Sequence, residues 1–221
     1  MEFIENFFAT IFGNSPTLAT FFIAATPVLE IKAAIPFGTS DKLWGARSLD
    51  LLPALGISII SSVMVTAIML ALLVPVFNLL KKIKPLRRTI NWLETKFTIR
   101  AQKLCKDHQE LCPEPRHTSK PCWPLLIPLF IFAALPVPLT GVYTASAIAV
   151  FLRLPYLHSL TTITLGTITS GSIIAGITYL FGANSLYVFH GFLLLTLVSL
   201  TAYILFSFFK RKQFPTQSKK V

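Results

Sequence analysis

Two opposite charges stand two residues apart in an apolar setting. The stretch "TPVLEIKAAIPFG", residues 26–38, carries Glu30 and Lys32 between Pro27 and Pro36. A carboxylate or ammonium in such surroundings needs pairing, water or neutralisation, because an isolated charge at membrane depth is costly. Glu30 admits two readings, and one residue can serve both. It is an acid that exchanges a proton or a cation with a gradient, or it caps the helix that begins there. Lys32 is not on the same helical face as Glu30 in regular geometry, but at an irregular elbow the two can pair. It can also meet an anionic head group as a point charge, or extend its head toward the surface.

A second constellation occupies "LPVPLTGVY", residues 135–143. Pro136 and Pro138 remove backbone donors and restrict the residues before them, so no helix continues through them. Thr140 offers a hydroxyl to freed backbone groups, Gly141 permits close backbone approach, and Tyr143 is an aromatic wall or packing. Arg153 is the first cation after this elbow, either a contact for phosphate or an ordinary positive flank.

A third set is Cys105, Cys112 and Cys122 with His108 and His117 interleaved. The spacing lacks a CxxC knuckle, and three cysteines cannot all pair. The set reads as free loop thiols, with a zinc site as the alternative, and no cofactor is called for. Phosphate-binding loops, nucleotide fingerprints and nucleophile elbows are absent from the sequence, and no acid–base pair shows at membrane depth. The expectation is therefore a non-enzyme.

The elements that position these residues belong to a membrane protein. Only 13% of the 221 residues are charged, against about a quarter in soluble domains. Segments 51–80, 121–152 and 154–209 contain no Asp, Glu, Lys or Arg, and a bilayer-spanning helix needs roughly 20 such residues. The net charge of +11 comes from two blocks, 81–120 and 210–220, which flank apolar runs. Such blocks mark cytoplasmic flanks rather than a nucleic-acid groove. The opening "MEFIENFFATIF" lacks a positive leader and reads as an interfacial amphipathic segment.

With the basic blocks inside, the order is a single all-α integral membrane domain. It has a re-entrant hairpin at 16–40, a transmembrane helix at 51–80 and a basic cytoplasmic loop at 81–122. A second hairpin follows at 124–152, then transmembrane helices at 160–182 and 186–209 and a basic cytoplasmic tail at 210–221. Units 16–80 and 124–182 form two inverted repeats of hairpin plus span, with one extra C-terminal transmembrane helix. Proline-interrupted segments at matching places in two halves point to a transporter's binding site. Stripes at Ser58, Ser62 and Thr66, at Thr167, Gly171 and Ala175, and at Ser172 and Gly176 read as faces for close helix approach.

"PVLEIKAAIPFG" and "LPVPLTGVYTASAIA" resemble the two signature segments of the small multidrug export protein family, which is related in design to the DedA or VTT membrane proteins. The likeness runs over about residues 15–185. It implies two facing membrane-inserted hairpins in a bacterial inner-membrane protein that exports compounds or moves lipid. The family's acid falls on Glu30 and its basic residue, usually arginine, on Lys32. Ala33 stands where glycine often follows. Pro136, Pro138, Thr140 and Gly141 match, whereas Leu139 replaces a common glycine and Tyr143 a common tryptophan.

The expected activity is proton-coupled secondary transport of amphipathic small molecules. The alternatives are a flippase or scramblase for a polyprenyl phosphate or phospholipid, and a scaffold recruiting partners through its basic loop. Membrane lipids, protons and the transported compound are the expected partners. Nucleic acid is not, and the small number of membrane elements leaves room for a homodimer.

Overall fold

The computed structural model describes residues 10–12, 15–80, 82, 123–137, 140–182 and 185–213, and every regular element among them is helical. The expectations placed on residues 1–9, on Cys105, His108, Cys112, His117 and Cys122, and on Pro138 lie outside the described residues.

Helix α1 (Pro16–Ala25) opens with Ser15 as N-cap, its Oγ 3.5 Å from the Leu18 amide, and with Pro16 at the first helical position. Both are residues that suit a helix start. It stops at Thr26, whose hydroxyl donates to the Ile23 carbonyl at 2.6 Å, directly before Pro27. The chain turns through residues 26–29 into α2 (Glu30–Gly38), which packs back on α1. A Cβ at Gly38 would overlap the Thr20 hydroxyl, so glycine allows that close approach. Trp44, at the end of the short α3 (Asp41–Trp44), donates its Nε1–H to the Phe37 carbonyl at 3.0 Å and sets its ring edge against Phe37.

Among the described residues, helices α4 (Leu51–Leu80) and α7 (Tyr156–Phe181) are long and apolar enough to cross a bilayer. They pack on each other. Leu55 lies beside Gly171, while the Tyr156 hydroxyl near the other end donates to the Ala67 carbonyl at 3.3 Å. The two helices therefore run antiparallel. Between them in sequence come α5 (Trp123–Ala134), an elbow at 135–141, and α6 (Val142–Phe151). Helix α2 packs on both α4 and α7, α5 lies on α7, and α6 reaches both long helices. A Cβ at Gly166 would meet the Ala133 Cβ at 2.7 Å and the Phe130 carbonyl at 2.9 Å, which is why α5 can lie so close to α7. Helix α8 (Ser185–Gln213) covers α2 and α7, with Phe189 tilted on Phe37 at 5.2 Å.

Several sequence readings shift in detail. Helix α7 begins at Tyr156 rather than near 160, because Pro155 ends the preceding turn and serves as its N-cap. Helix α8 runs through residues 210–213, which were expected to open the tail, since lysine and arginine are good helix formers. Of the two small-residue stripes on α7, only Thr167, Gly171 and Ala175 are buried. Ser172 and Gly176 sit about 100° further round and are exposed.

Candidate functional site

The two elbows meet, and each supplies what the other's broken backbone lacks. At the first, Val28 has φ 79° and Glu30 φ 50°. A β-branched residue at positive φ costs on the order of 1–3 kcal/mol. The strained turn places Glu30 at the head of α2, where only 5% of it is exposed. Its carboxylate accepts the backbone N–H groups of Val142 and Tyr143. These belong to the first turn of α6, whose amides have no partner within their own helix and carry the positive end of its dipole. Gly141 precedes them, and a Cβ there would occupy the space of the Glu30 carboxylate.

Lys32 is 1% exposed and does the converse. Its Nζ donates to the Val137 carbonyl at 2.7 Å and to the Thr140 carbonyl, and lies 3.5 Å from the Thr140 hydroxyl. These oxygens belong to the proline elbow after α5, where no helical N–H reaches them. Lys32 Nζ also stands 3.6 Å from Glu30 Oε2. Residues two apart do not face each other on a regular helix. The left-handed backbone at Glu30 is what lets them pair.

Tyr143 completes the exchange. Its hydroxyl donates to the carbonyl of Ala25, the last residue of α1. Thr140 ties its own elbow together, its hydroxyl 2.7 Å from the Val137 carbonyl and 3.1 Å from that of Leu135. The Gly141 amide donates to Thr144 Oγ1 at 3.2 Å.

Glu30, Lys32, Thr140, Gly141 and Tyr143 thus converge on one place. Pro27 lies in the first elbow and is exposed, and Pro136 lies in the second and is half-buried. Pro36 is not at a turn. It is buried inside α2, where it withholds the amide that would bond the Lys32 carbonyl. Arg153 is exposed at the far end of α6, about 15 Å along the helix from the elbow. It has φ 53° and does not join the cluster.

The carbonyls of Val137, Thr140 and Ala25 and the amide of Val142 were not anticipated, because main-chain atoms have no sequence signature. The prolines at 136 and 138 were the available signal, since they mark where carbonyls lose their helical donors. Among the described residues, the buried hydroxyls of Ser58, Ser62, Ser146 and Ser170 have no hydrogen-bond partner. No group of three or more His, Cys, Asp or Glu among those residues could hold a metal ion.

The chemistry of the cluster is that of a closed, net-neutral pair, one carboxylate and one ammonium, which together satisfy the open backbone of two elbows. No curated protein and no solved structure matches the chain. A family model described as "Putative small multi-drug export protein" matches residues 30–174, a span that starts at Glu30 and takes in the second elbow, all of α4 and most of α7. With two helices able to cross a bilayer, this is a membrane protein, and the chain belongs to the small multidrug export family.

Proposed function

We propose that this chain is a secondary transporter, not an enzyme, of the bacterial inner membrane, and that it exports amphipathic small molecules in exchange for protons. The observation that carries the reading is the buried Glu30–Lys32 pair, which holds the two elbows together. Protonating Glu30 would take the opposite charge from Lys32 and weaken the acceptor of the Val142 and Tyr143 amides. Binding a proton and loosening the elbows would then be one event. In this reading the pairs α1–α2 and α5–α6 are re-entrant hairpins. The shared order of hairpin then long helix, with α4 and α7 antiparallel, supports inverted repeats. The basic segments 81–120 and 210–220 would lie in the cytoplasm.

A lipid-phosphate flippase is less well supported at this site. An anion would have to approach two carbonyls, a hydroxyl and a carboxylate, with the one ammonium among them already engaged. The scaffold alternative rests on the basic loop, and its test is whether export survives deletion of residues 90–120.

The test of the transport reading is proton flux in proteoliposomes with an internal pH dye. Flux is expected to need an added amphipathic substrate and to vanish in Glu30→Gln. Substrate-driven flux that persists unchanged in Glu30→Gln refutes the coupling role.

A further inference from the structure

The oxygens around the Lys32 ammonium have the makings of a cation site in their own right. Four come from three residues: the carbonyls of Val137 and Thr140, the Thr140 hydroxyl and Glu30 Oε2. Only Glu30 Oε2 belongs to the elbow that carries Lys32. The other three sit on a segment 105–108 residues away. The group they hold is an ammonium on a flexible four-carbon stem, and it is almost wholly withdrawn from solvent.

We infer that this cradle is the substrate's binding site for a protonated amine, and that Lys32 occupies it as a tethered stand-in when no substrate is bound. The inference rests on the transport reading above for its role, but the site itself is a binding property that can be tested without transport. An organic cation with N–H donors can replace the Lys32 ammonium donor for donor, as the 2.7 Å contact to the Val137 carbonyl requires. A quaternary ammonium has no such donor, and its methyl shell keeps the charge too far from the oxygens. A neutral alcohol of the same length lacks the charge that Glu30 needs. The site therefore selects for primary and secondary amines. Displacement also frees Lys32, so the incoming amine and the resident ammonium compete for one carboxylate.

Lys32→Ala removes the last three carbons and the nitrogen of the side chain, which is the skeleton of n-propylammonium. Purified Lys32→Ala is expected to show a higher unfolding midpoint with n-propylammonium chloride. The rise is on the order of 4 °C at a concentration tenfold above the dissociation constant. Propanol, tetramethylammonium chloride and potassium chloride at matched concentration are expected to give no comparable rise. Equal stabilisation by any of the three, or none by propylammonium, overturns the assignment.

If Lys32→Ala cannot be recovered folded, the wild-type protein decides. Its Lys32 15Nζ signal, followed by solid-state NMR in lipid bilayers, is expected to shift on adding propylammonium and to stay put with tetramethylammonium. An unmoved signal overturns the proposal. Absence of substrate-driven proton flux in the wild-type protein, with the amine effect intact, would instead refute the transport reading and leave the site standing.

Discussion

Removing the two charges of the pair one at a time should have unequal consequences, and the direction follows from what each leaves behind. Glu30→Gln keeps an oxygen where the carboxylate accepts the Val142 and Tyr143 amides, and Lys32 keeps the Val137 and Thr140 carbonyls. The loss is the counter-charge 3.6 Å from a buried ammonium, and breaking a buried pair costs about 3–5 kcal/mol. Lys32→Met matches the stem but deletes the donor. It leaves a buried carboxylate without its counter-charge, for which breaking a buried pair costs about 3–5 kcal/mol. It also strips the Thr140 carbonyl of its donor, whereas the Val137 carbonyl keeps the Thr140 hydroxyl, and a buried unsatisfied group adds about 1–3 kcal/mol. Each single variant leaves one buried charge, so Lys32→Met should be the more damaging by the lost carbonyl donor, about 1–3 kcal/mol. The double variant Glu30→Gln/Lys32→Met should be more stable than Lys32→Met alone, because no unpaired charge remains. The assay is reversible unfolding in mild detergent, run as a double-mutant cycle. Glu30→Gln costing as much as Lys32→Met, or a double variant no better than Lys32→Met, would refute the idea that the ammonium holds the second elbow.

Gly141→Ala should lower the unfolding midpoint sharply and abolish substrate-driven flux, since its Cβ would fall on the Glu30 carboxylate. Gly176→Ala, which has open space at the same position of a Cβ, should be neutral in both measurements. Tyr143→Phe deletes the hydroxyl that donates to the Ala25 carbonyl. It should cost about 1 kcal/mol in the unfolding assay while leaving the Lys32 15Nζ signal where it is. Ser58→Ala and Ser170→Ala remove fully buried hydroxyls that have no partner. Each should be neutral or stabilising by the same assay, and a loss above about 1 kcal/mol would show that the hydroxyl has a bonding role.

The parts of this molecule that show in the sequence are those set by side-chain type. Long uncharged runs announced α4 and α7, Pro27 and Pro136 marked the elbows, and Glu30 and Lys32 stood out because charge is rare in such surroundings. What did not show was the pairing across the chain. The partners of Lys32 are carbonyls more than a hundred residues away, and every residue has a carbonyl. Pro36 was misleading for a related reason. A proline reads as a break, yet in α2 it sits near the helix end, where the missing amide affects a single carbonyl. The exposed stripe of Ser172 and Gly176 has the same composition and spacing as the buried one beside it. Only the neighbours of α7 decide which side faces protein.

The exchange between the elbows also accounts for why the charges come as a pair rather than singly. A broken helix leaves carbonyls without donors at one end and amides without acceptors at the next, and in an apolar medium both need partners. Lysine answers the first need and glutamate the second, and either alone would leave a net charge buried. Side by side they satisfy both kinds of backbone group and cancel. The arrangement has a consequence for any ligand of the site. The Glu30 carboxylate accepts the α6 amides and faces Lys32 at once, so on the proposed reading a proton or amine that took its charge would alter the support of both elbows together. A pair made of two uncharged hydrogen-bonding residues could cap the same backbone groups, but it would give a proton or a cation nothing to act on.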